Sequence, residues 1–205
     1  VAITTYAELQ TAIADWLDRS DLTSKIPDFI TLAEYKLFRD LRLSEWEQRA
    51  TADTVAGSSH IARPANSDGI LSIKLNTDPV QHLTYESLQY INGRYLGSSS
   101  GKPTVYCVTG NEIRLAPTPD SVYEIEITYS KPPEALSDVN TTNWFTENAP
   151  DLLLYASLLE ATPYIRDNEM TPVWYAASEK IKTYLIKNDN AIKYPKGSLL
   201  TARAN

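Results

Sequence analysis

Cysteine occurs once in the 205 residues, at Cys107, so no internal disulfide can staple the fold and the chain fits a reducing compartment. Histidine occurs twice, at His60 and His82, with no HxxxH spacing and no second cysteine to complete a zinc site. Both read as surface or half-buried strand residues, and Cys107 reads as a small core residue between Tyr106 and Val108. Positive charge is in the minority. The formal net charge of −7 argues against a reader of nucleic-acid sequence, which needs a basic face to neutralise phosphates. No basic segment followed by an apolar run opens the chain, so no secretory leader is expected. A Gly-x-Ser-x-Gly elbow is also missing. Gly97 to Lys102 fails as a phosphate loop, because three residues rather than four separate Gly97 from Gly101 and Pro103 follows the lysine. No catalytic constellation remains. No metal site is expected either.

What is present is an ordinary globular composition, 42% hydrophobic and 22% charged. A chain of this length buries roughly 70% of its unfolded surface. Its central stretch is Ala149 to Arg166, where Leu152, Leu153, Leu154, Tyr155, Ala156, Leu158, Leu159, Ala161, Tyr164 and Ile165 sweep a whole helical circumference. A helix apolar all round is buried on every side, with Leu152, Tyr155 and Leu159 as its core residues. At roughly 1.5 Å per residue it is a rod on the order of 27 Å long. Asp151, Ser157, Glu160 and Thr162 make it too polar to span a membrane. Pro150 and Asp151 suit its first turn, and Pro163 predicts a kink or an end near Thr162. Glu160 is expected to pair with an arginine, Arg39 or Arg42, in preference to acting as a general acid.

Elsewhere, Thr5 and Glu8 form a capping box ahead of an amphipathic helix carrying Tyr6, Leu9, Ile13, Trp16 and Leu17. Pro27 opens a second helix that ends near Arg42. From Glu45 the pattern alternates. Strands are predicted at Glu45–Val55, Ser58–Arg63, Ile70–Leu75 and Val80–Leu83, then a short helix Tyr85–Ile91 capped by Thr84. Thr104–Val108, Gly110-Asn111 and Glu112–Ala116 read as a tight hairpin. In Val122–Tyr129, Tyr123, Ile125, Ile127 and Tyr129 face one way while Glu124, Glu126 and Thr128 face the other, so one face is wet. A polar loop with Trp144 and Phe145 precedes the central helix. Thr171-Pro172 caps a last helix with Val173, Trp174, Ala177, Ile181, Tyr184 and Leu185 on its inner stripe.

The fold class is therefore α+β, a helical bundle formed by N- and C-terminal helices with an inserted antiparallel β module. The expected divisions are 1–44 and 134–188 for the bundle, 45–133 for the module and 189–205 for an extended, basic tail.

Three stretches together carry a resemblance: Ile26-Pro27-Asp28-Phe29-Ile30 through Arg39-Asp40-Leu41-Arg42; Glu112-Ile113-Arg114-Leu115-Ala116-Pro117-Thr118-Pro119; and Leu136-Ser137-Asp138, Thr142-Asn143-Trp144, then Ala149 through Leu159-Glu160-Ala161. In this order the chain resembles the adaptor, or head-to-tail connector, proteins of short-tailed bacteriophages, similar in role to tail tubular protein A. The resemblance implies a structural virion protein with no enzyme activity and no cofactor, assembled in the host cytoplasm as a dodecameric ring between the portal protein and the tail nozzle protein. The genome DNA would pass through the ring without specific recognition, and no membrane is involved. The irregular tail carries the expected portal or neighbour contacts, Lys193, Tyr194, Lys196, Leu199, Leu200 and Arg203. The alternative is a β module on a helical stalk that binds carbohydrate or protein, using Tyr85, Tyr90 and Tyr95 if these are exposed.

Overall fold

The computed structural model describes residues 3–19, 21–165 and 169–193. In chain order the elements are α1 (Tyr6–Leu17), α2 (Ile26–Asp40), β1 (Glu47–Asp53), β2 (His60–Ala62), β3 (Gly69–Leu75), β4 (Gln81–His82), β5 (Thr84–Tyr85), α3 (Leu88–Tyr95), β6 (Val105–Thr109), β7 (Glu112–Ala116), β8 (Glu124–Ser130), α4 (Trp144–Asn148), α5 (Pro150–Ile165) and α6 (Thr171–Lys193). The chain is α+β, with helices toward both termini flanking a β module. Two compact units result: a helical unit from the described residues of Val1–Ser44 and Pro133–Asn205, and a strand unit from Glu45–Pro132.

In the helical unit α1 begins at the expected capping box. The Thr5 hydroxyl accepts from the Glu8 N–H at 3.3 Å and the Glu8 carboxylate accepts from the Thr5 N–H at 3.0 Å. The helices α1, α2, α4 and α6 all pack on α5. Leu152, Leu153, Leu154, Ala156, Leu158 and Ala161 are buried, so most of the circumference is covered. Tyr155 and Leu159 are half-buried instead of central, because the Tyr155 ring lies near the surface against the edge of Trp16, centroids 5.7 Å apart. Tyr164 is exposed and rests on Phe29.

Pro163 does not end α5, which continues to Ile165. Proline removes the N–H that would bond to the Leu159 carbonyl, and the Thr162 hydroxyl donates to that oxygen instead, at 2.7 Å. The loop expected around Trp144 contains α4. Its Asn143 cap accepts from the Phe145 and Thr146 N–H groups, and the Thr146 hydroxyl accepts from the Asn143 N–H. Along α6, Trp174 and Ser178 are buried and Ala177, Ile181 and Leu185 half-buried, whereas Val173 and Tyr184 turn to solvent. The helix also runs to Lys193, past the expected start of an extended tail at 189.

The strand unit is a sandwich. One sheet has the order β1-β8-β3-β4, all antiparallel; the other is β2-β7-β6-β5, in which β5 pairs parallel with β6. Ile73, Leu75, Ile125, Ile127 and Tyr129 of the first sheet meet Ile61, Tyr106, Ile113 and Leu115 of the second in one apolar cluster. This is the alternation read in Val122–Tyr129, with Glu124, Glu126 and Thr128 on the other face. The β6–β7 hairpin is as expected, its two-residue turn starting at Gly110 with φ +59°, a conformation that favours glycine. The short helix falls later than expected. Thr84 and Tyr85 form β5, and Ser87, whose hydroxyl accepts from the Tyr90 N–H, caps α3. Ile91 and Tyr95 of α3 pack with Val105, Cys107 and Ala116, forming a second cluster in this unit.

Candidate functional site

No group of three or more His, Cys, Asp or Glu among the described residues is placed to hold a metal ion. His60 and His82 are exposed on β2 and β4, and Cys107 is fully buried on β6. The Lys102 ammonium after the rejected phosphate loop donates to the Thr77 hydroxyl at 2.8 Å. Tyr85 and Tyr90 are exposed, Tyr85 lying edge-on to Tyr106 at 5.6 Å, while Tyr95 packs in the α3 cluster. No described helix is long and apolar enough to cross a membrane.

Charge is concentrated where α2, α5 and α6 meet. Glu160 pairs with Lys36 at 3.0 Å, and with neither Arg39 nor Arg42. Lys36 and Asp40 are one turn apart on the same side of α2, where Asp40 meets Lys182 of α6 at 3.2 Å; Arg39 and Arg42 are exposed. Burial alone would push the Lys182 ammonium down, but Glu179 and Asp40 outweigh it and hold the group above its usual value.

The buried carboxylate of this unit is Glu34, 1% exposed. It accepts from the Leu136 N–H at 3.1 Å and from the Asn143 side-chain amide at 2.6 Å, so α2 grips the segment that returns from the strand unit. Burial pushes its carboxyl up to about 7, against the lowering pull of those two donors. A second buried carboxylate, Asp189, accepts from both the N–H and the hydroxyl of Ser44, and from Lys193 at 3.0 Å. Burial raises the Asp189 carboxyl, but the Ser44 and Lys193 donors prevail and leave it below its ordinary value.

Of the residues expected to dock on a partner, Lys193 ends α6 and meets Asp189. Tyr194, Lys196, Leu199, Leu200 and Arg203 lie outside the described residues. The described surface offers two helical ridges. On α1, Ala7, Thr11, Asp15 and Asp18 are exposed, with Trp16 beside them 50% exposed. On α6, Val173, Ala176, Lys180, Thr183, Tyr184 and Lys187 are exposed at helical spacing, Tyr184 at 67%.

Residues 4–194 match the family described as SU10 adaptor protein. The chain belongs to that family. The SU10 adaptor match covers both units, from the residue before the Thr5 cap to just past the end of α6, and it agrees with the resemblance to head-to-tail adaptors of short-tailed phages. The adaptor is thus a structural phage protein. No curated protein matches it in sequence. Sequence reading missed Glu34 and Asn143. The signal was available, since Glu34 falls within the inward stripe of α2 between Ile30 and Leu37.

Proposed function

We propose that this chain is one wedge of a dodecameric ring seated between the portal protein and the tail nozzle protein, leaving a channel through which the genome DNA passes. The role is structural, within the virion, with assembly in the host cytoplasm. Family membership over residues 4–194 carries the reading. The net charge of −7 supports it, because a wall of that sign repels phosphates and keeps DNA sliding. A ring is built from heterologous contacts, so each chain must present two unlike surfaces. A stable contact of this kind buries about 1,200 to 2,000 Å². The basic segment from Lys193 through Tyr194, Lys196, Leu199, Leu200 and Arg203 docks on the portal or on a neighbouring copy.

Light scattering after size exclusion, with and without the portal protein of the same virus, tests both parts. The full chain is expected to form a ring on the portal. A chain ending at Lys193 is expected to stay folded and fail to attach. Attachment of the shortened chain removes the docking role of residues 194–205, and absence of any ring from the full chain removes the wedge.

A further inference from the structure

The two ridges differ in a way that burial alone does not explain. On α6, Lys182 meets Asp40 and Glu179, and Lys193 meets Asp189. Lys180 and Lys187 meet no carboxylate within ion-pair distance among the described residues. They flank the exposed Tyr184 ring, and the acid beside them on that surface, Glu179, is taken by Lys182. On α1, Glu8 is used in the capping box, while Asp15 and Asp18 meet no base among the described residues; the neighbouring Arg19 is taken by Asp21 at 2.7 Å. Asp15 and Asp18 also sit at the C-terminal end of α1, whose last turn holds no base. That end of a helix dipole is negative, so two carboxylates there repel it and are suited to a cation supplied from outside. Beside them stands Trp16, with half its surface open.

We infer that these ridges are the two sides of one head-to-tail contact: the α6 ridge of one copy, centred on Lys180, Tyr184 and Lys187, seats against Asp15, Trp16 and Asp18 of the next. This rests on the ring reading above and names its surfaces. Charge complementarity selects a second copy as the occupant. A chain carrying −7 repels its own kind, and opposite charges placed face to face at a contact offset that repulsion and fix its register. Each side also brings an exposed aromatic next to its charges, the residue type that anchors interfaces. The contact is heterologous and leaves both ridges of a free chain unsatisfied, as ring closure requires.

Two variants test it. In one, Lys180→Glu and Lys187→Glu reverse the α6 ridge. In the other, Asp15→Lys reverses the α1 ridge while Asp18→Asn removes charge and keeps a residue that tolerates the left-handed backbone at position 18, φ 48°. Native mass spectrometry over a concentration series, alone and with the portal protein, reads assembly. Each variant by itself is expected to need roughly tenfold more protein to assemble. An equimolar mixture is expected to recover, since every contact can then pair opposite charges, and recovery also shows that both variants fold. Assembly of either variant alone at the wild-type concentration, or no recovery on mixing, overturns the contact while leaving the ring intact. A wild-type chain that stays single with and without portal overturns the ring reading and the contact together.

Discussion

Among the described residues, Thr54 is the one buried polar side chain of the strand unit, whereas the helical unit buries Glu34, Asn143, Thr146, Ser157, Thr162, Ser178 and Asp189. The strand unit is a single continuous segment. Its alignment comes from backbone ladders such as β1 on β8, where seven residues of each strand face one another from Glu47↔Ser130 to Asp53↔Glu124. Its apolar cluster needs no further guide. The helical unit is interrupted by the whole strand unit and must bring its two segments back into register. Apolar packing is non-directional and allows slip; hydrogen bonds to a buried carboxylate do not. Glu34 bonds Leu136 across 102 positions, and Asp189 bonds Ser44 across 145. These two clasps stand at the return and the exit of the chain. A discontinuous unit uses directed polar contacts where a continuous one relies on ladders and apolar area.

The largest effect that separates the two units is expected from Ile125→Ala. Ile125 is fully buried in the sandwich, and removing its side chain there costs about 2–5 kcal/mol, cavity included. Hydrogen exchange read by mass spectrometry should show protection lost in β3, β6, β7 and β8, with α2 and α5 unchanged. An equal loss in both units would mean that they unfold as one and that the contrast has no energetic meaning.

Next in size is the pH dependence of the Glu34 clasp. Its folded carboxyl sits at about 7 against an ordinary 4.5, so between those values the folded chain holds a proton that the unfolded chain has released. Stability from this group is complete below about pH 4.5 and is lost as pH rises through 7. At roughly 1.4 kcal/mol per unit that is about 3–4 kcal/mol. Glu34→Gln keeps an oxygen to accept from Leu136 and Asn143 but cannot ionise. Urea midpoints from pH 4.5 to 7.5 should fall less steeply in this variant than in the wild type. Parallel curves would remove Glu34 as the titrating group.

The same contrast explains what could be read from the amino acids alone. The alternation of Tyr123, Ile125, Ile127 and Tyr129, the Gly110-Asn111 turn and the Thr5 capping box are local signals, each complete within a few residues, and the structure follows them. The helix from Pro150 was legible because apolar side chains occupy most of its turns. Non-local choices were not legible. Which base meets Glu160 depends on how α2 is rotated against α5, so Lys36 could not be told from Arg39. The place of Glu34 on the inward stripe of α2 was legible, but its partners were not, as Leu136 and Asn143 lie beyond the strand unit. The chemistry of the candidate surface was half legible. The basic stretch after α6 stood out by composition, but the unmatched Lys180 and Lys187 appear only once Lys182 and Lys193 have found their acids.

The smallest effect sharpens the contrast within a single turn of α5. Thr162 is counted among the buried polar groups, yet its hydroxyl donates within its own helix, to the carbonyl that Pro163 leaves without its usual N–H. It therefore repairs the helix locally and does not join distant segments as Glu34 and Asp189 do. Thr162→Val has nearly the same shape and should cost about 1 kcal/mol, the loss of one ordinary hydrogen bond. Pro163→Ala returns an N–H to the Leu159 carbonyl, so in that background the same Thr162→Val change should cost close to nothing. Thermal melts of the two single variants and the double variant give the coupling directly, expected at about 1 kcal/mol. If Thr162→Val costs the same in both backgrounds, the hydroxyl is not answering the proline, and Thr162 belongs with the clasps that hold the two segments together.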